Sequence, residues 1–309
     1  MFTTDYNEIL AMIDAIDPIR YATTRNYIGG AVTKLSPYIS RGVITTRQVA
    51  QAVLKNGYTI QQAENLLKEL AWRDYFQQVW LAKGDDINTD LKQQQHPVIS
   101  YGIPVNMVAA TSGIDAIDQA ITALYNTGYM HNHVRMYVAA LCCNMAQCHW
   151  LHPARWMYYH LLDADWASNA LSWQWVAGSF SSKKYIANQE NINKYCNSNQ
   201  RNTFLDMSYE ALSNAIAPEP LQNTTVLSLQ THLPETKRIS LDASLPIYIY
   251  NFYNLDPVWD MHVKANRILL LEPKFFQQYW PTIRSLCYCI HIFLPAPQVF
   301  RDDTVSSTR

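Results

Sequence analysis

Over its first two thirds this chain repeats apolar residues at intervals of three and four, and after Ala217–Gln222 (APEPLQ) it stops doing so. That change of period constrains the fold more than any other feature. Before it, Ile44, Val49 and Val53, or Leu66, Leu67 and Leu70, would share one face of a helix. Pro18, Pro37, Pro97, Pro104 and Pro153 fall where helices start or stop, and Gly84-Asp85-Asp86 and Asn126-Thr127-Gly128 read as helix ends running into turns. The prediction is a helical domain over residues 1–216. Beyond the break, Thr225–Leu229, Ile247–Phe252, Arg267–Leu271 and Ile290–Leu294 are short apolar runs, partly β-branched, that read as buried strands. A helix is expected over Phe275–Tyr288. Strand, helix, strand in that order predicts a small α/β unit with parallel pairing over residues 223–300. The fold class expected is mainly α, with Arg301–Arg309 as a loose polar tail.

A chain of 309 residues that is 49% hydrophobic can bury a sizeable core. The formal charge is −1, from 24 basic and 25 acidic residues, so no global field draws it to nucleic acid and any such contact rests on a local patch. The cysteines, Cys142, Cys143, Cys148, Cys196, Cys287 and Cys289, show no C-x-x-C pair and no histidines at zinc-finger spacing. Buried free thiols are expected, with residues 142–148 inside a single helix and no metal site. No charged-then-apolar leader and no apolar run of membrane-spanning length is present, so the chain reads as cytoplasmic, without a membrane partner.

Three clusters concentrate chemistry. Residues 161–175 read LLDADWASNALSWQW, with two acids and three tryptophans; residues 130–136 read MHNHVRM; residues 69–75 read ELAWRDY. Glu69, Trp72 and Arg73 stand at i, i+3 and i+4, so a helix sets the acid and the indole on one face with the guanidinium adjacent. Asn132, Arg135 and Met136 repeat the device: an amide with donors and an acceptor, a cation, and a polarizable wall for a flat ligand. Residues 32–38, VTKLSPY, place hydroxyls at a helix start, where uncommitted N–H groups accept anions. Each motif taken alone has a plainer reading: a solvated helix pair for Glu69 and Arg73, a capped helix for 32–38, core packing for the tryptophans.

Together the clusters resemble the FAD-binding domain of the cryptochrome and DNA photolyase family, from about Tyr21 to Phe180. The resemblance implies an all-helical FAD-binding domain without the antenna domain that normally precedes it, and FAD as cofactor. It implies Tyr21, Thr33, Lys34, Leu35 and Ser36 at the phosphate end, with Val32 departing from the usual threonine. Arg73, Asn132, Arg135, Asp163, Asp165 and Asn169 would surround the flavin ring, Arg135 and Asp163 as a buried ion pair and Asn169 facing the reactive ring nitrogen. Trp173 and Trp150 match the first two members of an electron relay; no tryptophan aligns with the third, where Tyr101 is the nearby aromatic.

Glu69, Trp72, Asn132, Met136 and Trp175 match the catalytic pocket, and Arg25 and Lys183 fall at DNA-contacting positions. Related enzymes that act on (6-4) photoproducts carry histidines where this chain has Asn132 and Met136. The pocket therefore resembles that of a cyclobutane pyrimidine dimer photolyase, a lyase driven by light, with damaged DNA as partner and a monomer as the expected state. The alternatives are a cryptochrome-type blue-light photoreceptor signalling to a protein partner and a flavin-less remnant. Residues 185–206, YIANQENINKYCNSNQRNTFLD, depart from the family, and their Asn and Gln content suggests a polar loop or partner surface.

Overall fold

The computed structural model describes residues 2–233, 240–293 and 298–301. Side-chain caps set most of the helix starts. Asp5 accepts from two backbone N–H groups to open α1 (Tyr6–Asp14), and Asp17 does the same for α2 (Pro18–Thr24), where Pro18 lacks an N–H that would have no partner anyway. A short α3 (Ser36–Ser40) comes next, then α4 (Thr46–Lys55) and the long α5 (Ile60–Lys83), each of these two opened by a reciprocal capping box, Thr45 with Gln48 and Thr59 with Gln62. α5 ends at Gly84 and runs into a 3-10 turn, Gly84–Asn88.

Beyond that turn lie α6 (Val105–Val108), α7 (Asp115–Thr127) closed by a left-handed Gly128, α8 (Asn132–Ala140), α9 (Leu151–His160) and α10 (Trp166–Ala177). Around them lies the larger core, with Trp150, Trp156, Trp166 and Trp173 all fully buried. Truncating any one to alanine would cost about 3–5 kcal/mol. The helix expected to carry Cys142 through Cys148 instead stops at Ala140, and one π turn, Leu141–Met145, succeeds it. All six cysteines are free, and five are buried.

The polar segment 185–206 is not a loop throughout. It contains α11 (Gln189–Cys196), and its amides satisfy one another: Asn188 caps the helix, Gln189 donates to Asn193, and Asn193 donates to the Gln200 carbonyl. These amide links add to an apolar contact, since Ile192 and Cys196 of α11 are buried in the larger core. α12 (Tyr209–Ser213) and α13 (Glu219–Gln222) complete the helical part, the latter a single turn inside the proline-bearing break.

The expected strand Thr225–Leu229 reduces to β2 (Thr224–Thr225), which pairs antiparallel with β1 (Ile103–Pro104) on the helical part and takes no place in the C-terminal sheet. That sheet is three-stranded and parallel, in the order β3 (Ile247–Tyr250), β4 (Asn266–Leu271), β5 (Gln298–Arg301). Between β4 and β5 run α14 (Pro273–Gln278) and α15 (Ile283–Phe293). Residues 290–293, read as a strand from their composition, are therefore helical, and Leu294 lies outside the described residues. Arg301, expected in the tail, closes β5, and 302–309 are not among the described residues.

Tyr250, Phe252, Leu269, Leu271, Phe276 and Leu286 of the C-terminal unit share one core with Ile9, Ile13, Tyr38, Val49 and Val53 of the helical part. Arg41, fully buried, joins the two: one guanidinium nitrogen donates to the Leu162 carbonyl at 2.9 Å, and the cation lies 3.7 Å over the Phe252 ring. Gly42 next to it has φ +65°, and a Cβ there would meet the Tyr253 carbonyl oxygen at 2.5 Å, so backbone and contact both require glycine.

Candidate cofactor site and aromatic face

Two arginine–aspartate pairs organise the centre of the helical part. Arg135, on α8, reaches both carboxylate oxygens of Asp163 at 2.9 and 3.1 Å and donates through Nε to the Met130 carbonyl at 2.8 Å. Burial alone would raise the Asp163 pKa; the Arg135 charge, hydrogen bonds from Ser36 and Arg135, and the Arg73 charge outweigh it and hold the carboxyl below its ordinary range. Arg73, on α5, pairs with Asp165 at 2.8 Å. Asp165 caps α10 through Ser168 and also accepts from Gln77 at 2.7 Å. Ser40 ties the pairs together, accepting from Arg73 at 2.6 Å and donating to the Asp163 carbonyl at 2.8 Å.

Ser40 and Gln77 were missed in the sequence. Each stands four residues past a predicted site residue, Ser36 and Arg73, and helical spacing was the available signal.

Asn169 donates to the Ala154 carbonyl at 2.9 Å, which fixes its amide against α9. Asn132 is exposed at the start of α8 and Met136 is half-buried one turn on. At the phosphate-end segment, Lys34 is exposed in a left-handed conformation, φ 54°, and Leu35 is buried. Thr33 Oγ1 accepts from the Leu35 N–H at 3.4 Å, and α3 begins at Ser36 with no side-chain cap. Tyr21 lies 5.9 Å below the Arg25 guanidinium, and Arg25 is itself hydrogen-bonded to Glu69. The predicted DNA-contacting arginine and the predicted catalytic acid are thus partners of one another across α2 and α5.

An FAD of the kind implied by the resemblance needs cations for its diphosphate and donors without partners. His131 is buried, and its Nδ1 accepts from the His133 N–H at 3.2 Å; among the described residues neither its Nε2 nor the buried Nε2 of His133 has a partner. Burial first, then His133, Arg135 and Lys34, bring the His131 pKa down to about 4, and burial and Arg25 lower that of His133. Arg25 and Arg135 are engaged by Glu69 and Asp163, which leaves Lys34 as the cation beside two neutral imidazoles with ring nitrogens to offer, a donor set that fits an anionic group.

An aromatic face flanks these groups. Trp72 and Trp175 are 52% and 44% exposed, unusual for rings of their size. Trp72 contacts Phe76 at 5.6 Å, and Phe76 contacts Phe180 at 6.5 Å, so the strip on α5 runs to the residues just past α10. Trp175 lies 6.0 Å from Tyr185. Just past the same helix, Lys183 and Lys184 line a cavity of about 410 Å³ with His96, Gln93 and Gln94. Trp173 is buried, and so is Trp150, whose Nε1 donates to Asp90 at 2.8 Å. Trp150 adjoins His149 at 5.7 Å, and His149 stacks on the exposed Tyr101 at 5.3 Å. That ring series runs from the core to solvent.

Residues 66–206 match the family model described as the FAD binding domain of DNA photolyase. A deoxyribodipyrimidine photo-lyase of Halobacterium salinarum is 30% identical over 53% of this chain and 36% of its own length. A cryptochrome DASH of Ostreococcus tauri is 33% identical over 51% of this chain and 30% of its own. The chain spans about a third of the length of these curated relatives. Among solved structures, a Synechocystis cryptochrome superposes with a TM-score of 0.57 at 24% identity, covering 63% of this chain and 44% of that one, which shows the fold. No helix among the described residues is long and apolar enough to cross a membrane.

Proposed function

We propose that this protein, whose residues 66–206 match the family model of the FAD binding domain of DNA photolyase, binds FAD and repairs cyclobutane pyrimidine dimers in DNA under blue light. The observation that carries the reading is that the helices bearing the buried ion pairs also carry the exposed tryptophans: Arg73 beside Trp72 on α5, and Asp165 and Trp175 at the two ends of α10. When bound and reduced, FAD supplies the photoexcited electron that splits the dimer and is returned afterwards.

The protein's part is binding and positioning. Arg135, Asp163, Arg73, Asp165 and Asn169 hold the ring site in a fixed geometry, while Tyr21, Thr33, Lys34, Leu35 and Ser36 take the phosphate end. Trp72 and Trp175 receive a damaged base turned out of the stack, an extrusion that costs a few kcal/mol and less for damaged bases. Glu69, Asn132 and Met136 line the same face. Arg25 and Lys183 attract the DNA backbone, a contact that weakens with salt. Trp173, Trp150 and, at the exposed end, Tyr101 carry electrons inward from the surface.

A second reading is a blue-light photoreceptor, and the observation favouring it is that Glu69 is already engaged by Arg25. The test is the absorption spectrum of the purified protein, then blue illumination with a dimer-containing oligonucleotide and an assay for restored bases. Flavin with repair is expected. Flavin without repair transfers the reading to the photoreceptor, and a chain that neither retains nor takes up FAD refutes both.

A further inference from the structure

A second cavity, of about 320 Å³, opens between α9, the start of α10, the Leu227–Gln230 segment and the end of α14. No residue of the two ion pairs lines it. Its floor is aromatic: Tyr158, Trp166 and Tyr279 are buried, with centroids 5.5 Å apart for Tyr158–Trp166 and 5.4 Å for Trp166–Tyr279, and Trp280 adds a half-buried wall. The polar ends of these rings are engaged elsewhere. Trp166 Nε1 donates to Asn88 at 3.1 Å, the Tyr279 hydroxyl accepts from the same Asn88, and the Tyr158 hydroxyl meets that of Tyr253 at 2.8 Å.

Arg155 lines this space, and among the described residues its guanidinium makes no hydrogen bond or ion pair; its Nε is buried without a partner. The neighbouring His152 offers no counter-charge. Its Nε2 accepts from the Leu227 N–H at 2.8 Å, and burial together with the Arg155 charge lowers its pKa. A half-buried cation facing neutral groups is costly to the folded state, and such costs are retained where a ligand supplies the missing charge. A volume of this order is that of a small-molecule site.

We propose that this cavity binds a small organic anion carrying a flat ring, with its carboxylate or phosphate on Arg155 and its ring against Trp280 and the buried aromatics. The planar fork of the guanidinium matches either anion. The site is independent of the flavin reading.

The full chain is titrated by calorimetry with 2-naphthyl phosphate, 2-naphthoate and uncharged 2-naphthol. At least one anion is expected to saturate at one equivalent and to bind tenfold or more tightly than 2-naphthol; which anion does so distinguishes phosphate from carboxylate. Arg155→Met should weaken that binding at least tenfold, and Arg155→Lys should restore part of it. Without ligand, Arg155→Met should unfold at the same or a higher temperature than the parent, because it removes an uncompensated charge. Binding of neither anion, equal binding by Arg155→Met, or a fall of several degrees in the unliganded unfolding midpoint of Arg155→Met would each overturn the proposal, the last by showing that the chain itself satisfies the guanidinium.

Discussion

Replacing Arg135 with methionine isolates what the ion pair at the centre of the site contributes. The substitution keeps the stem volume and leaves the Asp163 carboxylate, whose side chain is 4% exposed, without its principal partner. Unit charges roughly 4 Å apart interact by about 4 kcal/mol at an effective dielectric of ~20, and removing one member of a buried pair costs about 3–5 kcal/mol. The structure sets an asymmetry within that range. Asp163→Asn leaves Arg135 with 20% of its side chain exposed, with the Met130 carbonyl, and with an amide oxygen still able to accept. Its cost should be the smaller, about 1–2 kcal/mol.

The pH dependence gives a second check. In the parent the folded Asp163 pKa is depressed, so its contribution is present above the unfolded value and is lost as pH falls through the folded one. In Arg135→Met the burial that now dominates raises the carboxyl, so protonation relieves the penalty and the gap between parent and variant narrows from pH 8 to pH 5. Urea unfolding followed by tryptophan fluorescence at both pH values measures the gap. A loss under 1 kcal/mol at pH 8, or a gap that does not change with pH, would refute the argument that a desolvated carboxylate is being held by Arg135.

Gly128→Ala should destabilise by about 2–3 kcal/mol in the same assay, since φ is +73° and the new Cβ would meet Leu162 Cγ at 2.6 Å, whereas Gly57→Ala, also at positive φ but with no atom within 4 Å, should show the backbone part alone. Equal losses would mean that Leu162 moves aside. His131 and His160 have folded pKa values lowered to about 4, by burial first in both. The unfolded chain therefore takes up protons below about 6.5 that the folded chain refuses, and stability should fall as pH drops from 6.5 to 4. His131→Gln should flatten that slope, and a slope unchanged in both this variant and His160→Gln would remove the two histidines as its cause.

Much of the fold was legible because local rules act on neighbours. Asp5, Asp17, Thr45 and Thr59 cap the helices that begin beside them, Gly84 and Gly128 end α5 and α7, and no distant residue changes that arithmetic. The Arg135–Asp163 pair was legible too, through the family pattern carried by two of the sequence clusters. Residues 290–293 were not: the run is apolar at nearly every position from Leu286 onward, so period alone cannot separate the end of the expected helix from a strand. The core decides by accepting Leu286 and Cys289, three apart, on one face.

By itself, then, the sequence determined that the part before Ala217–Gln222 is helical and that Gly84 and Gly128 close α5 and α7, because caps and periods are properties of adjacent positions. Only the tertiary structure decided that Glu69 meets Arg25, that Ser40 and Gln77 clamp the two ion pairs, and that Arg155 faces a cavity without a counter-charge. The physical reason is that burial and pairing belong to the space between elements, and packing α2 on α5, or α9 against the end of α14, creates neighbours tens of residues apart in the chain.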